Sequence, residues 1–187
     1  MKYLSKGKRG IVYLIEERGK KIVVKKERKE SSALRALHNE AVWLQILNKY
    51  NIGPRFIRCE DKSLVMEYIH GIPFVVWYPH HSQHAVRHVI KDIFQQCRQM
   101  DVLKVNKMEM HTPVKHILIR KGKPVLIDFE RCKRTLTPKN VTQFCQFLVH
   151  LGFSVDREQL KALLQEYKKT YGEDIFKRIV RLFVVSL

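Results

Sequence analysis

Three charged residues and a glycine pair have the types that phosphate and metal chemistry uses. "PVLIDFERC", residues 124–132, runs through apolar positions into Asp128. A carboxylate placed straight after a buried strand is costly unless something binds it, and its hard oxygens suit a divalent cation. Lys25 ends "IVVK". A strand lysine can reach a phosphate; the bland alternative is a solvated edge lysine. Glu40 is the acidic residue of "LHNEAVWLQIL", placed to neutralise Lys25 or simply to face water. Gly7 and Gly10, in "SKGKRGIVYL", precede a strand. Glycines there let backbone N–H groups approach phosphates, although most G-x-x-G pairs are plain turns.

These residues need elements to position them. "IVYLI" and "IVVK" flank "EERGK", which reads as a hairpin turning at Gly19. Leu34, Leu37, Ala41, Leu44 and Leu47 recur at helical spacing, with Ser31 or Ser32 as N-cap and "NIGP" as the stop. "RFIRCEDKSLVMEYI" gives two further strands, so the first part reads β-β-α-β-β. After a break at Gly71 and Pro73, residues 83–100 form a helix with Val86, Val89, Ile90, Ile93, Phe94 and Cys97 on one face. "HILIRKGKPVLID" is a second hairpin, turning at "KGK". Three helices follow, the first with Asn140 as a candidate cap and the second capped by Asp156.

The order of these features is more informative than any one of them. A glycine turn, a strand lysine, a helix glutamate, "LVMEYIHG" as a hinge and a strand-Asp-Phe segment form the ordered set of the protein kinases. The chain resembles the compact atypical members of that superfamily, the RIO kinases and the small kinase of the KEOPS complex. Within that lineage it resembles small archaeal predicted serine/threonine protein kinases. The matching text is "KMEMHTPVKHILI" (107–119) and "LIDFERCKRTLTPKNVT" (126–142).

The resemblance implies an α+β, two-lobed protein-kinase-like fold. Residues 1–68 would form a small β-sheet N-lobe with one helix, and residues 69–187 a mostly helical C-lobe. It implies ATP and Mg²⁺ or Mn²⁺ as cofactors. Gly7 and Gly10 would cover the phosphates, and Lys25, held by Glu40, would bind the α- and β-phosphates. The backbone of Glu67, Tyr68 and Ile69 would receive the adenine. Asp128 would chelate the metal, with Glu130 in the usual glycine position extending the acidic site or pairing with Lys115 or Arg131. Glu109 takes the place of the catalytic base, and His116 that of the asparagine metal ligand; the usual five-residue spacing would instead select His111 as base. Only 59 residues follow Asp128, which leaves no room for an extended activation loop. The acceptor is then the chain itself, a folded protein or a small molecule rather than a gripped peptide.

Composition sets the outer bounds. The hydrophobic share of 45% is a globular value. No apolar run is long enough to span a bilayer, and "MKYLSKGKRG" lacks the apolar stretch of a signal peptide, so the expected setting is cytoplasmic. Cys59, Cys97, Cys132 and Cys145 are spaced as reduced thiols rather than as a metal knuckle. A net charge of +18 attracts polyanions. RNA or an acidic protein is therefore an expected partner class, with Lys115, Arg120, Lys121, Lys123, Arg131, Lys133, Arg134 and Lys139 as the cluster that would meet it. The rival classes are a nucleotide-binding pseudokinase or scaffold and a basic RNA- or ribosome-associated module. His80, His81, His84 and His88 read as a polar helix entry in preference to a metal site.

Overall fold

Alternating and 3.6-residue periodicities divide the chain into an α+β protein. The computed structural model describes residues 1–6, 10–27, 31–60 and 62–185, with the backbone alone at 31–34. Two compact units emerge: 1–71 together with 125–132, and 72–124 together with 133–187. The chain passes from the second unit into the first at Val125 and returns at Lys133.

The first unit is built on an antiparallel sheet of order β1-β2-β3-β5-β4. Its strands are β1 (Lys2–Lys6), β2 (Gly10–Glu17), β3 (Lys20–Glu27), β4 (Phe56–Glu60) and β5 (Ser63–Glu67). The β2–β3 turn is two residues, Arg18 and Gly19, at φ 51° and 71°. That pair of positive φ values matches the twist of a tight hairpin, and Gly19 adopts it without a Cβ penalty. Ile22, Val24 and Val65 are buried together on one face of the sheet, with Ile15 and Ile57 packed against them. Helix α1 (Ser31–Leu47) follows β3, and a single 3₁₀ turn (Asn48–Tyr50) ends it. Asn48 Nδ2 donates to the carbonyls of Ile52 and Pro54, and its Oδ1 accepts from Phe56 N–H. One side chain thus ties the helix exit to the start of β4.

β1 departs from the expected β-β-α-β-β order. "KYLSK" is exposed at all five positions, so it shows no apolar face, and only its pairing with β2 makes it a strand.

The second unit contains β6 (Ile72–Pro73), α2 (Phe74–Trp77), α3 (Gln83–Val102), β7 (Val105–Asn106), β8 (Ile117–Arg120), the start of β9 (Lys123–Leu126), β10 (Lys133–Arg134), α4 (Asn140–His150), α5 (Arg157–Thr170) and α6 (Glu173–Val185). The two-residue elements and α2 are too short to leave a periodic signal. β8 and β9 are linked through Lys121 and Gly122, at φ 50° and 74°, as the "KGK" turn requires. Phe94 is fully buried at the core and meets Phe144 edge-on at 4.9 Å and Phe183 at 5.6 Å. Each such burial stabilises by roughly 1.5–3 kcal/mol. Asp156 caps α5 as expected, its Oδ1 accepting from the N–H groups of Glu158 and Gln159.

Asn140 does not cap α4. It is the first helical residue, Lys139 precedes it without a side-chain cap, and its own side chain is spent elsewhere. Among the described residues no helix is long and apolar enough to cross a membrane.

Candidate active site

Lys25 lies in β3, the middle strand of five, between Val12 of β2 and Leu64 of β5. It is therefore not an edge lysine. Strand alternation sends it to the face opposite buried Val24. On that face α1 presents Glu40, which is only 1% exposed. Glu40 Oε2 accepts from Lys25 Nζ at 2.6 Å, and Glu40 Oε1 accepts from Phe129 N–H at 3.1 Å. Asp128 Oδ1 lies 3.5 Å from the same Lys25 Nζ. One ammonium thus faces two carboxylates.

Burial works against the Lys25 charge, but Glu40 and then Asp128 overturn it and hold the ammonium well above its ordinary value, with Glu130 adding to the effect. Burial also pushes the Glu40 carboxyl up, while Lys25 and the Phe129 N–H pull it back. Both Glu40 oxygens accept from donors, which is the arrangement of the ionised form. The geometry is that of an ionised pair.

The 128–132 segment is stapled to α1. Asn39 Nδ2 donates to the carbonyls of Glu130 and Cys132, and Trp43 Nε1 donates to Cys132 O and Asn39 Oδ1. Phe129 is fully buried. Its ring passes so close to Gly53 that a Cβ there would sit 2.8 Å from it, and Gly53 also has φ +84°. Asp128 itself holds φ 65°, a conformation rare outside glycine. The anchored neighbours on its C-terminal side set the direction of its carboxylate. Asn39 and Trp43 escaped the sequence reading. Their signal was polar atoms on the same helix face as Glu40, in "HNEAVW".

Other expected site residues fall as follows. Gly10 opens β2, where a Cβ would come within 2.9 Å of Lys26 O, so no side chain fits without a shift. Gly7 lies outside the described residues. Glu67 ends β5; its N–H donates to Arg55 O and its Oε2 accepts from Arg55 N–H. That N–H is therefore already engaged in the expected hinge. Tyr68 is half-buried, and Ile69 is buried.

Glu109, His111 and His116 belong to the second unit, whereas Asp128 belongs to the first. Glu109 Oε2 lies 3.4 Å from His116 Nδ1, and both side chains are partly exposed. His111 is exposed. The histidine cluster behaves as a polar helix entry: His81 Nδ1 bonds Trp77 O and its ring stacks on Trp77, while His88 Nδ1 bonds His84 O. Among the described residues none of these four histidines joins a group of three metal-ligating atoms. All four cysteines are free thiols.

A scan against protein-family models finds no match, and no curated protein matches the chain.

Proposed function

We propose that the chain is an ATP-dependent phosphotransferase, an atypical serine/threonine protein kinase of RIO-like type with a two-lobed kinase-like fold. The observation that carries this reading is the Lys25–Glu40 pair at 2.6 Å with Asp128 Oδ1 3.5 Å from the same ammonium. A buried lysine neutralised by one glutamate would need no third charge. Here Asp128 remains 31% exposed beside it, with Glu130 near enough to act on Lys25. The centre places hard oxygen donors beside the ammonium, which fits a divalent cation. Asp128 would hold that cation, whose role when bound is to neutralise phosphate charge.

The remaining roles belong to the chain. Glu40 orients Lys25, and Lys25 places positive charge on the α- and β-phosphates, where negative charge builds as the γ-phosphoryl leaves. Glu109 accepts the proton of the acceptor hydroxyl while that oxygen forms its bond to phosphorus and ADP departs. The roles of Glu109 as base and His116 as second ligand rest on the resemblance alone.

Incubation of the purified protein with γ-labelled ATP and Mg²⁺ or Mn²⁺ tests the reading. Self-labelling or ATP loss is expected, with both lost in Lys25→Ala. A wild type that saturating ATP and metal neither label nor stabilise against heat overturns it. Stabilisation without turnover selects the pseudokinase or scaffold. The net charge of +18 and the exposed Lys115, Lys121, Lys123 and Lys133 favour one second reading, a polyanion-binding module. Its mark is RNA binding that survives Lys25→Ala.

A further inference from the structure

His80, His81, His84 and His88 crowd the entry to α3, and none has a part in the chemistry above. Two of them are fixed to the backbone. His81 Nδ1 donates to Trp77 O at 2.8 Å, and its ring stacks on the Trp77 indole at 4.0 Å. His88 Nδ1 donates to His84 O at 2.8 Å. A carbonyl can only accept, so the hydrogen of each neutral ring sits on Nδ1 and its Nε2 keeps a lone pair.

His84 and His88 differ from the other two in lying inside the helix, on adjacent turns of one face. Ser82 Oγ accepts from Ala85 N–H and starts α3 just ahead of them. Val86, Val89, Ile90 and Ile93 are buried on the core side, and both histidines are exposed on the other. Their rings lie 4.3 Å apart, centroid to centroid, at an angle of 50°. Two imidazoles that close can share one ion, at N–metal distances of about 2.0–2.1 Å, after a small turn of the exposed side chains.

The ligand type selects the ion. Imidazole suits Zn²⁺, Cu²⁺ and Ni²⁺, whereas Mg²⁺ and Ca²⁺ seek oxygen. Histidines that bind metal commonly donate their other ring N–H to a backbone carbonyl, a bond that His88 already makes. Arg87, Lys91 and Asp92 flank the pair with mixed charge, so ligation rather than a field of carboxylates would hold the ion. Among the described residues no third histidine, cysteine or carboxylate joins the pair within ligand distance. Two positions of a tetrahedral ion are then left to water.

We propose that His84 and His88 form a two-imidazole site on α3 for Zn²⁺ or a divalent ion of the same ligand preference. It differs in kind from the oxygen centre at Asp128, and it stands whether or not the chain transfers phosphate. The bound ion bridges consecutive turns of α3. The helix sets the two rings side by side before the ion arrives, so the second imidazole binds as an intramolecular partner of the first.

Calorimetric titration of the tag-free full chain with ZnCl₂ at neutral pH tests the site. Wild type should bind Zn²⁺ with an affinity that falls by about tenfold or more in His84→Gln and in His88→Gln, since either change forfeits the chelate. His80→Gln and His116→Gln should bind as wild type does. Long-range ¹H–¹⁵N spectra read the ligands directly. A ring nitrogen of His84 and the Nε2 of His88 should shift on adding Zn²⁺, while His88 Nδ1 keeps its hydrogen. MgCl₂ should leave both in place. Zinc bound as tightly by His84→Gln and His88→Gln as by wild type means an adventitious ion only, and it overturns the inference, as do His84 and His88 resonances that zinc does not move.

Discussion

Both units bury charge, in opposite ways. The first unit packs a half-buried lysine against two carboxylates, and the centre stays open: Lys25 is 18% and Asp128 31% exposed. The second buries the Asp101 carboxylate, sealed from water and bonded by neutral donors from Asn140, Val141 and Tyr167, and buries Lys107 as well. An ion pair with a partly exposed carboxylate beside it can still bind something. A carboxylate whose lone pairs are all taken cannot. The first arrangement belongs to ligand chemistry, and the second to fixing one backbone geometry.

The largest effect should come from breaking the open centre. Lys25→Met removes the ammonium that would meet the phosphates and leaves Glu40 buried opposite a thioether. Phosphotransfer should fall by about a thousandfold. Stability should fall too, by about 3 kcal/mol, because removing one member of a buried pair strands the other. The double variant Lys25→Met/Glu40→Gln should regain part of that stability and none of the activity. Urea titration beside the labelling assay separates the two losses. Activity returning with stability would mean that Lys25 serves only the fold.

Breaking the sealed centre should reverse the pattern. Asp101→Ala leaves the N–H groups of Asn140 and Val141 and the Tyr167 hydroxyl without their acceptor, although Asn140 Nδ2 keeps Val105 O. Each orphaned donor costs about 1–3 kcal/mol, so a loss of about 4 kcal/mol is expected. The thermal shift on adding ATP and metal should survive in whatever fraction remains folded. A variant that loses the ATP-dependent shift while keeping its unfolding free energy would erase the distinction between the units.

The two centres also differ toward protons. Burial pushes the Asp101 carboxyl from 3.8 up to about 6, against the pull of the Asn140, Val141 and Tyr167 donors. The folded state then holds the proton more tightly than the unfolded chain. Between about pH 4 and 6 it binds more protons, so this group's stabilisation is present in acid and is lost as pH rises through that window. The full span is worth about 3 kcal/mol. Glu40, also pushed up by burial, acts in the same sense, whereas Lys25, held well above its ordinary value, keeps its charge throughout. Unfolding free energies at pH 4, 5, 6 and 7 should therefore show wild type losing stability relative to Asp101→Asn as pH rises. The difference between the two proteins changes across the window and is constant above about pH 7. A difference independent of pH would show that Asp101 does not titrate there.

How much of this was legible in the sequence follows from where the partners lie. The hairpin turns at Gly19 and in "KGK" and the Asp156 cap were readable because cause and effect sit within a few residues. Lys25 and Glu40 were readable as a pair from their place in the ordered set of motifs, Lys25 closing "IVVK" and Glu40 being the acidic residue of "LHNEAVWLQIL". Asn140 was misread as a cap because asparagine at a helix start usually is one. Its actual partners, Val105, Lys107 and Asp101, are 33 to 39 residues away, and no local pattern announces them. Asp101 gave no signal for the same reason: a polar residue at a helix end looks solvated until the chain folds back over it.

The smallest effect tests which residue of the 107–116 loop does the chemistry. Glu109 Oε2 sits 3.4 Å from His116 Nδ1 and is partly exposed, so its carboxylate is reachable and has a defined neighbour. His111 is exposed and lies two residues further along. Glu109→Gln preserves shape and removes the proton-accepting charge. If Glu109 is the base, kcat should fall by about tenfold or more while the ATP-dependent thermal shift stays as in wild type, because the group is used in the transition state and not in nucleotide binding. His111→Gln should leave the rate within about twofold. Initial rates with each variant at saturating ATP decide the matter. Full activity in Glu109→Gln with loss in His111→Gln would move the base by two residues. The group presented to the acceptor hydroxyl would then be an imidazole, with its neutral form required for proton uptake.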